Sequence, residues 1–399
     1  MFFFFLSKRY KKGLNTFFHL LTLLLLSALL ISYPSFIFSA AKKGLDTWWQ
    51  FVLPGLFPFF ILVELLAQFG VIDFLGILLE PIMKPLFNIP GRGAFVLTAG
   101  FTSGAPIGGI LTSQLYQEQH LSRGEAARLV SFTNNASPLF ILGSISVGLL
   151  GQPQFGKILA LSHYFANLLI GILLGLSSSK KRLRTTGSNL TQLLVQAFTN
   201  MHHSYLLRNK SLGVILREAA KSSMEKMLII GGFIIMFSVL IEILSILGIL
   251  KILAGFLGLF LIPIGLDPSL MLPLSSGIFE MTIGIKMIAE SGAPILQQLL
   301  CISIILGWAG LSVHAQVAAF LSGHNISLIP YYFARILQGT IAASFAYILL
   351  GKGVFVLGEG KIPLITLISL SKIILVCKIV FVMMALFFIL DFLKSTLKR

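Results

Sequence analysis

Apolar runs of about twenty residues, with few charges, recur along this chain, and nothing else in the sequence constrains its fold as strongly. A run of that length spans a bilayer core as a helix. The runs fall at roughly 14–38, 48–69, 130–150, 156–176, 227–248, 297–320, 331–351 and 372–392. They are continuous rather than alternating over ten residues, which excludes a transmembrane β-barrel. Composition agrees. The 399 residues are 56% hydrophobic and 11% charged, less than half the charge of an ordinary soluble domain. A soluble enzyme, a disordered chain and a secreted disulfide scaffold are thereby excluded. The expected class is all-α: a polytopic transmembrane bundle of about eight spans.

Two further apolar stretches, 93–115 and 270–289, are interrupted by Gly, Pro and Ser. They read as re-entrant hairpins, because irregular backbone at membrane depth survives only where protein or a wet cavity satisfies it. The segment 70–90 carries Asp73, Glu80 and Lys84 among apolar residues and reads as interfacial. The N-terminal run exceeds a signal-peptide core, so a retained first helix is expected.

The longest polar stretch, 177–225, divides the chain into halves with matching features. Glu64 and Glu242 each precede a glycine by six positions and lie 178 apart, and Ser103-Gly104 and Ser276-Gly277 lie 173 apart. An internal repeat follows, with three spans and one hairpin per half. The odd number of crossings inverts the second half relative to the first, a common transporter plan. The expected organisation is a first helix over 1–44, a first repeat over 45–176, a basic cytoplasmic linker over 177–225, a second repeat over 226–351 and a last helix over 352–399. The net charge of +16 follows the same topology. With both termini inside, twenty Lys and Arg face the cytoplasm and seven face out, as the positive-inside rule requires. Nucleic acid is therefore not an expected partner.

Four constellations could carry chemistry. The hairpin tips are placed at Ser103-Gly104-Ala105-Pro106 and at Ser275-Ser276-Gly277. Helices that start inside a membrane present unpaired N–H groups and a positive dipole end, suited to an anion; close helix packing by small residues is the alternative. Glu280, with Thr282 beside it, is a carboxylate just after a break. It could hold a cation, take a proton, bond a solute or cap a helix. The stretch SFTNNASP offers Thr133, Asn134 and Asn135 as donors and acceptors for a cavity wall. Its counterpart in the second half offers Ser312, His314 and Gln316. His314 and Gln316 could share a face only if the helix breaks near Gly310. Glu64 and Glu242 are mid-span, with packing or ion handling as their alternatives.

Catalytic motifs are absent: there is no HExxH, no CxxC, and GKGVFVLGEGK lacks phosphate-loop spacing. The serine of GFTSG is one place late for GxSG. Neither an enzyme, a resident metal nor a cofactor is expected. Cys301 and Cys377 sit in apolar runs and form no framework.

The runs LVSFTNNASPLFILGSISVG, GFTSGAPIGG, LEPIMKPLFNIPG and GLSVHAQVAAFL together resemble the sporulation integral membrane proteins of endospore-forming Firmicutes, over about 45–350. Those proteins carry two nucleoside-recognition Gate domains. The resemblance implies a transporter or facilitator that moves dipicolinate across the outer forespore membrane. The expected partners are then this small anionic substrate and the lipid bilayer, with a homo-oligomer as an open option. A coupling or bridging cation beside Glu280 would reconcile that carboxylate with a dianion. The alternatives are a nucleoside or other solute carrier of the same fold, or a structural membrane protein needed for spore assembly.

Overall fold

A computed structural model describes residues 8–177, 190–208 and 210–351. The described residues form helices joined by short loops, with no strand among them. The expected last span at 372–392, with Cys377, lies outside them.

Helix α1 (Lys8–Ser32) carries exposed apolar side chains, Leu24 and Ile31 among them. It stops where Pro34 removes a backbone donor, and the chain bends by 102°. The expected single span at 14–38 is therefore two elements. Helix α2 (Pro34–Thr47) runs through a π-helical turn at Trp48–Val52 into α3 (Leu53–Gln68). Pro54 and Pro58, lacking N–H groups, account for the irregular turn. Gly70, at φ +80°, turns the chain by 77° into α4 (Val71–Leu78). A short α5 (Glu80–Phe87) follows, so the interfacial stretch is a pair of short helices.

The first hairpin is α6 (Gly93–Ser103) and α7 (Ile107–Gln117). Helix α8 (Arg123–Thr133) starts at a capping box: Glu125 N–H donates to Ser122 Oγ, and Ser122 N–H to the Glu125 carboxylate. Such a cap is worth about 1 kcal/mol. The expected continuous span 130–150 is interrupted after Thr133 and resumes as a π-helical segment, Phe140–Leu149. Asn side chains that compete for backbone bonds, followed by Pro138, explain the break. Helix α9 (Pro153–Leu176) crosses the core unbroken.

The polar stretch 177–225 is not all connection. It contains α10 (Leu190–Arg208), whose Tyr205 ring stacks on Phe69 and whose Phe198 packs at a tilt against Phe74 at the α3–α4 corner. It also contains the start of α11 (Leu212–Ile246), a 35-residue helix. Gly248, at φ +71°, leads into α12 (Ile249–Leu261). The second hairpin is α13 (Met271–Phe279) and α14 (Met281–Ala289). Helices α15 (Ile295–Trp308) and α16 (Gly310–Leu321) meet at Ala309, which sits at φ +71°. That left-handed break lies one residue from Gly310. Helix α17 (Ile329–Gly351) completes the described chain.

The two halves thus present the same order of elements. The run α2–α3 corresponds to α11, α4 to α12, α6–α7 to α13–α14, the broken α8 to the broken α15–α16, and α9 to α17. The 35 positions 34–68 and 212–246 lie 178 apart throughout. The halves meet where α2 and α3 lie along α11. There Trp48 Nε1–H donates to the Met227 carbonyl at 3.0 Å, and Glu64 pairs with Lys226. Two large apolar cores fill the described residues, and a small third one joins α8, α16 and α17. One large core lies under α3–α8; the other lies among α12–α15, α9 and α17. Among the described residues four helices are long and apolar enough to cross a membrane, or six if each bent pair is one span.

Candidate functional site

The two hairpin tips and the first helix break converge on one cavity of about 100 Å³, and the second break packs against the second tip, with Gly310 close to Glu280 and Met281. Its wall contains Gly104 and Ala105 from the first tip, and Glu280, Met281 and Thr282 from the second. Asn135, Ala136 and Ser137 come from the first break, and Gln316 from α16 beyond the second. Val52 and Leu56 face it from one half, Ile230 and Ile234 from the other. These last pairs are again 178 apart. The space is large enough for several waters between an apolar side and a side of amides, hydroxyls and one carboxylate.

The first tip is built by close approach. Gly104 has φ +87°, and a Cβ there would lie 2.8 Å from the Ser137 nitrogen. Ala105 N–H donates to the Asn135 carbonyl, stitching the tip to the broken helix. Gly100 and Gly108 leave room for the Thr133 carbonyl. No side chain caps the first turn of α7, so its positive end begins beside the cavity.

The second tip differs, and it corrects a sequence expectation. The break is at Glu280, not at Ser275–Gly277, which lie inside α13. Ser275 and Ser276 hydroxyls donate back to the Met271 and Leu272 carbonyls. Gly277 packs against Gly284 of the returning helix. The partner of Gly104 is therefore Glu280, 176 residues on. Glu280 is 5% exposed and caps α14: its carboxylate accepts from Ile283 N–H at 2.7 Å and from Thr282. One helix N-terminus thus has no side-chain cap, and the other is capped by the chain's own carboxylate.

Of the residues singled out in sequence, Gly104, Asn135, Glu280, Thr282 and Gln316 line the cavity. The others stand behind it. Ser103 is buried with its hydroxyl unpartnered, and Thr133 donates to the Leu129 carbonyl. Asn134 Nδ2–H donates to the Tyr331 hydroxyl at 3.1 Å. Ser312 accepts from Gln316 Nε2 at 3.3 Å. His314 stacks near Trp308, Tyr331 and Tyr332, and its Nε2 lies 2.8 Å from the Trp308 carbonyl. The break at Ala309 does not bring His314 and Gln316 together at the cavity. Glu64 is held by Lys226, whereas Glu242, half-buried on α11, lies across from no ion-pair partner among the described residues.

Sequence reasoning missed a buried polar group between α9 and α17. Arg335, 0% exposed, donates to the carbonyls of Asn134 (2.7 Å) and Ser131 (2.6 Å) and to Asn167 Oδ1 (2.8 Å). Asn167 Nδ2–H donates to Asn135 Oδ1. His163 Nε2 accepts from Ala136 N–H at 3.1 Å, with Gln338 within 3.2 Å of its ring. The signal was present. Polar residues stand at helical spacing on otherwise apolar helices, with Tyr331, Arg335 and Gln338 on one face of α17 and His163 and Asn167 on one face of α9.

A nucleoside-recognition (Gate) family model matches residues 50–179, from the π turn before α3 to the end of α9. The sporulation integral membrane protein YlbJ of Bacillus subtilis is 43% identical over 332 residues, which is 82% of this chain and 80% of that protein. An uncharacterised protein of Alkalihalophilus pseudofirmus is 34% identical over 117 residues, 28% of this chain and 25% of its own. The helices are those of a multi-pass membrane protein, and the chain belongs to the sporulation integral membrane protein family.

Proposed function

We propose that the chain is a solute carrier of sporulation, not an enzyme, and that dipicolinate crosses the outer forespore membrane through the cavity between the hairpins. The observation that carries this reading is the convergence of both hairpin tips and the first helix break on one cavity. A scaffold has no need of that convergence, because each break exposes backbone groups that something must satisfy. The membership shared with a sporulation membrane protein supports the setting.

The electrostatics give the carrier its coupling. The lining holds one ionisable side chain, Glu280, and no basic one. Two like unit charges 4 Å apart repel by about 4 kcal/mol at an effective dielectric of 20. A dicarboxylate entering beside an ionised Glu280 would therefore be expelled. It is admitted once Glu280 carries a proton or a bridging cation; the uncapped α7 terminus then receives one carboxylate. Glu280 is thus the site where an inorganic ion or a proton is tied to solute movement.

Flux of dipicolinate into proteoliposomes of the full chain tests this. Saturable flux, accelerated by a proton or cation gradient, is expected. Glu280→Gln keeps an oxygen for the Ile283 N–H, so the helix cap survives. It should retain downhill flux and lose the gradient's effect. Flux in this variant that still follows the gradient would remove Glu280 from the coupling. Absence of dipicolinate flux from folded protein would remove the substrate. A nucleoside carrier is the second reading, favoured by the amides of Asn135 and Gln316 and the absence of a basic lining residue; saturable uridine uptake in the same vesicles would establish it.

A further inference from the structure

Arg335 is an expensive residue to bury. It has no ion-pair partner among the described residues, and replacing buried charge by apolar side chains is often neutral or stabilising. Its neighbours suggest what it does. A guanidinium only donates hydrogen bonds, whereas an Asn amide has one accepting end and one donating end. Arg335 donates to Asn167 Oδ1. The accepting end of Asn167 is thereby fixed, and its Nδ2 end points onward to Asn135 Oδ1. The oxygen of Asn135 is thereby occupied too. Its Nδ2 has only a long contact, 3.4 Å, to the Phe132 carbonyl, and Asn135 lines the cavity. Each amide orientation follows from the one before it, and the donor-only residue at the head settles the direction.

We propose that Arg335 is a positioning residue that sets the polarity of the cavity wall: acting through Asn167, it turns the NH₂ end of Asn135 toward the solute, so that the site selects hydrogen-bond acceptors such as carboxylates. The proposal rests on the carrier reading for its substrate and on the network alone for its geometry. The same guanidinium also holds the Ser131 and Asn134 carbonyls at the end of α8, where a cation offsets the helix's negative end. Those bonds anchor the wall; the bond to Asn167 orients it.

Asn167→Asp separates orientation from folding. The new carboxylate still accepts from Arg335, now as an ion pair, so the protein should melt no lower than the parent. It cannot donate, so Asn135 must turn its NH₂ end away and show its oxygen to the cavity. The KM for dipicolinate should rise about tenfold or more, the range of a hydrogen bond to a charged group, with kcat less affected. Competition by 2,6-diaminopyridine, which presents donors where dipicolinate presents acceptors, should strengthen at a pH where it is neutral. An unchanged KM in Asn167→Asp would overturn the proposal. So would a rise in KM with no change for the neutral competitor, because charge alone would then suffice.

A second readout needs no solute. In ¹⁵N-asparagine-labelled protein the Asn167 side-chain amide should be protected from solvent exchange and the Asn135 amide should exchange. Asn167→Asp should protect the Asn135 amide. Identical Asn135 exchange in both proteins would overturn the relay even if the parent proved not to carry dipicolinate. Parent protein that shows this exchange pattern without flux would uphold the relay and count against the carrier reading alone.

Discussion

Glycine-for-alanine changes separate the two kinds of close contact in the hairpins. A Cβ on Gly284 would lie 2.4 Å from the Gly277 Cα and 2.7 Å from its nitrogen, both backbone atoms that cannot swing aside. Overpacking of this kind costs about 1–3 kcal/mol, and the strain falls on the α13–α14 pair that presents Glu280. Gly284→Ala should lower the melting temperature in detergent and reduce flux. Gly255→Ala, on α12 with nothing within reach of the new methyl, should be neutral or slightly stabilising, since Ala is the better helix former. Equal melting temperatures for the two variants would show that the hairpin tolerates separation. Gly277 was legible in the sequence as important, but not for its reason. A Ser-Ser-Gly run reads as a tip, whereas the structure uses its glycine for contact and lets Glu280 make the turn. Side-chain hydroxyls that bond one turn back within a helix look the same in sequence as hydroxyls at a break.

At the level of elements, the junction between halves rests on α2, α3 and α11. Glu64 and Lys226 form a half-buried pair across it, each side chain 16% exposed. Removing one partner strands the other charge in a low-dielectric setting, while removing both does not. Glu64→Gln and Lys226→Met should each lower the melting temperature, and the double substitution should lower it by less than the sum of the two. A coupling of about 1–3 kcal/mol is expected from such a cycle; a coupling near zero would mean that the pair is solvated. Sequence comparison had paired Glu64 with Glu242 as repeat equivalents, and position 48, the repeat equivalent of Lys226, is a tryptophan. An internal repeat predicts equal positions, not equal partners, so the ion pair was invisible until α3 and α11 were laid side by side. The break at Ala309 was raised in the sequence by the adjoining Gly310, whereas the break after Thr133 was not read, although the Asn and Pro residues of NNASP carried its signal. The Arg335 cluster could be read only by asking what polar spacing on apolar helices is for. Long runs such as 130–150 look continuous to hydropathy because the break is short and its neighbours remain apolar.

The whole molecule places equivalent residues of its two halves around one cavity. Leu56 and Ile234, 178 positions apart, both face it. If the halves are inverted in the bilayer, a conformation that opens the cavity to one side closes it to the other by exchanging the roles of the repeats. Single cysteines at Leu56 and Ile234, in a chain with Cys301→Ser and Cys377→Ser, would report this. Labelled from one face of sealed proteoliposomes by a membrane-impermeant maleimide, the two sites should respond in opposite directions when dipicolinate and its driving gradient are imposed. The part of the change that the gradient drives should vanish in Glu280→Gln, while the part that dipicolinate alone drives should persist. Parallel responses at both sites would describe a pore that opens and shuts as a unit. No response at either, in protein that still melts cooperatively, would describe a rigid scaffold whose cavity is only a consequence of packing broken helices.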